Sequence, residues 1–144
     1  MTASELRDLL LAEQDITVEP VATPEWPSVD GMIHVRLMSG LQRERYLRWV
    51  RPLMHIDAPV KASTDSSQIK LVVMTMCDEH GELLCQGDTD EDRETFVEQM
   101  GAKSYVALQR IIDAGALLNG LSAKSKADTK NALSSSLTSG LNTV

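Results

Sequence analysis

Two prolines flank a tryptophan in Thr23-Pro24-Glu25-Trp26-Pro27, and no other local feature limits the fold as strongly. Each proline holds φ near about −65°, withholds an N–H, and pushes the residue before it towards extended backbone, so an α-helix cannot run through this stretch. Extended chain is expected on both sides. Ile16, Val18 and Val21 lie before it around Pro20, while Asp30-Gly31 behind it is a turn signal. Ile33, Val35 and Leu37 then alternate with His34 and Arg36 as in a half-buried strand. These segments predict a β-hairpin or small meander over residues 16–38. Trp26 either covers the core from its loop or anchors an interface.

Helices are predicted around this hairpin. Thr2 and Glu5 have capping-box spacing, and Leu6, Leu9 and Leu10 follow on one side, which predicts a first helix over residues 2–13. Ser39 and Gln42 repeat the signal before Tyr46, Leu47 and Val50, with Pro52 as the stop or kink. Asp88 to Asp92 place acid at the positive end of a further helix, with Phe96, Val97 and Met100 inward and Gly101 as its stop. Ser104 opens the last, where Leu108, Ile111, Ile112, Gly115 and Leu118 share a face until Asn119-Gly120.

The apolar run Ile69–Met76 fits two periods. Ile69, Leu71, Val73 and Thr75 would alternate in a strand, whereas Leu71, Val72 and Met76 would line a helix. A strand is the expectation, because Asp78-Glu79-His80-Gly81 before Leu83 and Leu84 looks like the tip of a hairpin. Residues 57–68 are expected to form an exposed loop. After Leu121 the chain turns to Ser, Lys, Thr, Asn and Ala with no apolar stripe, which predicts a flexible tail. The organisation expected is a single α+β domain over residues 1–121, a small antiparallel sheet packed with about four helices, and a tail at 122–144.

Composition narrows the function. The 144 residues suffice for one core, but only five are aromatic, so Leu, Val, Ile, Met and Ala must build it. A net charge of −7 disfavours nucleic acid as a partner. Without the tail the imbalance grows to −9, eleven basic residues against twenty acidic ones. No apolar run reaches the ~20 residues of a membrane span and no secretory pattern opens the chain, so a cytoplasmic location and free thiols at Cys77 and Cys85 are expected.

Candidate chemistry is sparse. Cys77, His80 and Cys85, with His34 or His55 as a fourth ligand, would be the zinc set, although C-x2-H-x4-C matches no common finger spacing. Asp88, Asp90 and Asp92 have the spacing that begins a calcium loop, but Arg93 and Gln99 occupy the positions that require Gly and Glu. No nucleophile-elbow, Walker or H-E-x-x-H motif occurs, so no catalytic residues, cofactor or metal are expected, and the protein is not expected to be an enzyme. Two charged surfaces remain as candidate protein-binding sites. Between Arg36 and Arg51 five Arg meet one Glu, and from Asp78 to Glu98 nine acids meet one Arg. Arg43, Arg45 and Arg48 on one patch, Asp88, Asp90 and Glu91 on the other, and Trp26 are the candidate partner-binding residues. Opposed patches of this kind can steer head-to-tail self-association, giving a homo-oligomer, or recruit a charged helical partner.

In order and spacing these segments resemble the tail assembly chaperones of long-tailed bacteriophages over roughly residues 16–121. One matching stretch runs from Val18-Glu19 through Pro24-Glu25-Trp26 into Ile33-His34-Val35-Arg36-Leu37-Met38-Ser39-Gly40 and closes on Arg43-Glu44-Arg45. The other runs from Leu71-Val72-Val73 through Cys77-Asp78-Glu79-His80-Gly81-Glu82-Leu83-Leu84 and the acidic 88–92 segment to Leu117-Leu118-Asn119-Gly120-Leu121. Leu84 and Cys85 depart from the pattern, which often has an aromatic there. The resemblance implies an adaptor without catalytic function that coats the tape measure protein, keeps it soluble and recruits tail tube subunits in the host cytoplasm. It also implies a longer frameshifted product that shares this N-terminal part. A structural component retained in the virion and a small zinc-binding protein or enzyme are the alternative expectations. The seven Met residues would then give an adaptable lining for helices, or fill the core.

Overall fold

A computed structural model describes residues 1–51, 66–87 and 89–121. The chain is α+β: the described residues form five α-helices and a three-stranded antiparallel sheet of order β1-β2-β3. The helices are α1 (Ala3–Ala12), α2 (Gly40–Val50), α3 (Ser67–Thr75), α4 (Asp90–Gly101) and α5 (Tyr105–Leu118), and the strands β1 (Val18–Ala22), β2 (Met32–Arg36) and β3 (Met76–Cys77). Among the described residues no helix is long and apolar enough to cross a membrane.

The hairpin forms as the prolines and turn residues require. Val18 faces Arg36 at its open end and Ala22 faces Met32 at its closed end. Asp30 (φ 57°) and Gly31 (φ 66°) take the left-handed conformations that reverse the chain, and between the prolines and this turn there is only a single 3-10 turn, Pro27–Val29. β3 adds to the other edge of β2 through His34–Cys77 and Val35–Met76. The Asp78–Gly81 turn brings Leu83 back opposite Cys77, with Gly81 at φ 86° and the Asp78 carboxylate accepting the N–H groups of His80 and Glu82.

Helix starts follow the capping residues. Thr2–Glu5 and Ser39–Gln42 each make both reciprocal bonds of a capping box, and the Thr89 hydroxyl accepts the Asp92 N–H, 3.1 Å away. The acids of the first turn of α4 stand by its unpaired N–H groups. Its end differs from expectation by one residue, because Gly101 closes the last turn and Ala102 is the cap.

The larger correction concerns residues 69–76. They are not a strand: Ser67–Thr75 is a helix, capped by the Ser66 hydroxyl, and only Met76-Cys77 is extended. Every residue from Lys70 to Thr75 is buried. Leu71 and Met74 pack with Met38, Tyr46 and Val50, while Val72 and Val73, on the opposite face, pack with Val35, Val97, Leu108 and Ile111. A helix covered on all sides has no polar face, so its sequence carries no helical alternation. The loop expected at 57–68 is corrected at its end, where Ser66 to Gln68 cap and begin α3; residues 57–65 and the tail 122–144 lie outside the described residues.

Helix α5 crosses α3 closely at Gly115, where a Cβ would sit 3.1 Å from the Thr75 Oγ1. Asn119 then ties this end of α5 to the β2–α2 junction. Its Oδ1 accepts the Met38 N–H at 2.7 Å, and its Nδ2 donates to the carbonyls of Gly115 (2.8 Å) and Arg36 (3.3 Å).

Ile111→Ala is expected to lower the unfolding free energy in urea by about 2–5 kcal/mol, the range for opening a cavity at a fully buried aliphatic side chain. Leu11→Ala, at an exposed α1 position, should change it by less than about 0.5 kcal/mol. Asn119→Ala leaves the buried Met38 N–H without its acceptor and is expected to cost about 1–3 kcal/mol in the same titration.

Candidate functional site

The proline-locked corner builds one wall of an apolar groove. The Trp26 N–H donates to the Thr23 carbonyl (2.9 Å), and the Trp26 carbonyl accepts from Val29 and Gly31, so both backbone groups of Trp26 are engaged. Glu25 fixes the corner to α5 through a bidentate pair with Arg110, both distances 2.7 Å. That guanidinium holds the Glu25 carboxyl below its ordinary range. β3 pairs only with His34 and Val35, which leaves Ile33 without a strand neighbour on that side. The space beside it is a groove of about 230 Å³ between Trp26, Ile33, Leu84, Phe96 and Met100, with Lys103 at its edge. Leu84 is 43% exposed and the Trp26 and Phe96 rings are half-buried. This groove can take apolar side chains presented by a helix. It contains no assembled acid–base pair.

The candidate charged residues lie elsewhere. Arg45 and Arg48 are exposed on α2, and Arg43, though exposed, donates to the Asn119 carbonyl at 3.0 Å. Arg45 lines a second cavity of about 320 Å³ with Arg36, Gln42, Glu82 and Arg93. Buried Arg93 spends one Nη on the Asp90 carboxylate (2.6 Å) and the other on the Gly87 carbonyl (3.3 Å), leaving its Nε without a partner. Asp90 is therefore already paired, Glu91 is exposed beside it, and Asp88 lies outside the described residues. Among the described residues, none of these charged side chains lines the groove that holds Trp26.

Basic α2 and acidic α4 are also joined internally. Glu94 accepts from the Trp49 indole at 2.6 Å and stands 3.3 Å from the Lys70 ammonium, which lies 4.7 Å over the Trp49 ring. Lys70 is buried, so this cluster satisfies a charge inside the fold. Neither Lys70 nor the groove residues Ile33 and Leu84 stood out in the sequence as site residues. A lysine inside the apolar run 69–76 was the available signal for the first.

The zinc set does not assemble. Among the described residues no three His, Cys, Asp or Glu side chains come together as a metal site. Cys77 is buried in β3, Cys85 is half-buried, and His80 lies in the exposed turn 3.4 Å from Glu79; His55 lies outside the described residues. Burial pushes the Cys77 thiol up to about 11 despite the nearby Arg36.

Comparison with protein-family models, curated proteins and solved structures finds no match to this chain.

The two thiols should differ in reactivity. Titrating the native protein with a disulfide reagent at pH 8 is expected to label Cys85 readily and Cys77 only after denaturant is added; equal rates would contradict the burial assigned to Cys77.

Proposed function

We propose that this chain is an assembly chaperone of the long-tailed phage type, an adaptor that binds the tape measure protein, keeps it soluble and recruits tail tube subunits in the host cytoplasm. The observation that carries this reading is the half-open apolar groove of Trp26, Ile33, Leu84 and Phe96 on an otherwise strongly acidic chain. Amphipathic helices dock in such grooves through side chains at helical spacing, and Met76 and Met100 in the lining can repack around different leucines. Net negative charge on the exterior opposes aggregation of a complex whose partner is long and apolar. The ordered sequence resemblance over residues 16–121 supplies the identity of that partner.

A second reading, a tail component retained in the virion, is favoured by α1, whose four leucines are uncovered as a self-assembling subunit's would be. Mass spectrometry of purified particles separates the two. A chaperone is absent or substoichiometric, whereas a structural component is present in many copies.

Co-expression with a long, helical tape measure protein is expected to raise that protein's soluble fraction and to yield a co-purifying complex. Leu84→Asp, which places a charge at the groove mouth, should weaken the complex by about tenfold or more. A partner equally soluble with and without this chain would end the chaperone reading.

A further inference from the structure

Arginines from three separate elements line one cavity of about 320 Å³: Arg36 at the end of β2, Arg45 on α2 and Arg93 on α4. Among the described residues of the lining only Glu82 opposes them, three positive charges against one negative on a chain whose net charge is −7. Neutral groups hold this arrangement in place. The three nitrogens of Arg36 donate to the Leu37 carbonyl (3.3 Å), the Gly81 carbonyl (2.8 Å) and the Gln42 Oε1 (3.0 Å), so its charge is fixed and not neutralised. Each of its Nη atoms still has a second N–H to give. Arg45 is exposed and has no ion-pair partner among the described residues. Arg93 is the most confined, its side chain 9% exposed and its Nε without an acceptor. Asp90, paired with one Nη of Arg93, is itself 82% exposed, where water and salt screen its charge. A buried guanidinium N–H that lacks an acceptor is costly, and a ligand oxygen in the cavity it lines would relieve that cost.

We propose that this cavity is a binding site for a phosphate group, carried by a small phosphate monoester or present as free phosphate, with Arg36, Arg45 and Arg93 donating to its oxygens.

The number of arginines selects the anion. A carboxylate has two oxygens and is satisfied by a single guanidinium fork, whereas a phosphate monoester presents three strong acceptors and close to two negative charges near neutral pH. Forks from three elements, opposed by one carboxylate, match the second anion. Val73, Met74 and Leu83 give the cavity an apolar wall on which the organic part of an ester can rest. The cavity shares no lining residue with the Trp26 groove, so the site rests on nothing in the tape measure reading.

Calorimetric titration of the full chain with phenyl phosphate, inorganic phosphate and benzoate tests the proposal, with circular dichroism confirming that each variant is folded. Phenyl phosphate is expected to bind with a dissociation constant on the order of 1 mM or below. Cys85 lines the same cavity and reports locally: saturating phenyl phosphate should slow its reaction with a neutral thiol reagent several-fold. Arg45→Ala, at an exposed position, should raise the dissociation constant about tenfold. Arg7→Ala, the same change of charge on exposed α1, should leave it unaltered. Glu82→Gln should tighten binding about threefold or more, because it removes the opposing charge and keeps an oxygen to accept from Gln86. Phenyl phosphate binding more tightly than inorganic phosphate identifies an ester as the ligand, and the reverse identifies free phosphate. Benzoate binding as tightly as phenyl phosphate overturns the proposal. So does the absence of both heat and Cys85 protection up to ~20 mM phenyl phosphate, or an affinity that falls equally in Arg45→Ala and Arg7→Ala.

Discussion

Helix α3 has to be buried on every side, and the other elements are arranged to meet that requirement. Its two faces belong to different apolar clusters, Leu71 and Met74 to one and Val72 and Val73 to the other. Helices α2, α4 and α5 therefore each pack on it from a different direction. A single helix thereby joins what would otherwise be two small cores. For a chain with only five aromatic residues this matters, because aliphatic side chains bury less area each and must be gathered efficiently to stabilise a domain. The close crossing at Gly115 and Thr75 and the Asn119 bonds to the β2–α2 junction hold the last helix in the register this arrangement needs.

Full burial of α3 takes in one charged side chain. Lys70 points between helices, and its ammonium is met by the Glu94 carboxylate and the face of Trp49, with Glu94 held in turn by the indole N–H. A buried charge left alone would cost several kcal/mol, on the order of 3–5 when a partner is removed, so these three residues act as a unit linking α2, α3 and α4. One consequence reaches the surface. Glu94 of the acidic α4 is engaged inside the molecule, and Arg43 of the basic α2 donates to the Asn119 carbonyl, which shifts attention for partner binding to apolar surface. That surface exists because the two prolines hold Trp26 away from the sheet edge that β3 is too short to cover.

Several elements are legible residue by residue. Thr2 with Glu5 and Ser39 with Gln42 mark helix starts, and Asp30-Gly31 marks the hairpin turn. Asn119-Gly120 marks the end of α5, with Gly120 at φ 70°. In each case the physics lies within four residues: a hydroxyl reaching an unpaired N–H, or a backbone angle that few residues tolerate. The Ile69–Met76 run is not legible in this way, for the complementary reason. Its local preference is divided between strand and helix, and the choice falls to what surrounds it. Trp26 was legible as a tryptophan in a rigid corner, but the groove it lines needs Phe96 and Met100 from a helix some seventy residues away.

By itself, then, the sequence determined where the hairpin turns, where four of the helices begin, and how charge divides between α2 and α4, since caps, prolines and left-handed turns act through neighbouring atoms. Tertiary structure alone decided that residues 67–75 are helical, that Lys70 is satisfied indoors, that Cys77, His80 and Cys85 stay apart, and that α1 keeps its leucines uncovered. These outcomes depend on which distant surfaces arrive to exclude water. Burial is a property of the assembled fold, and no window of a few residues contains it.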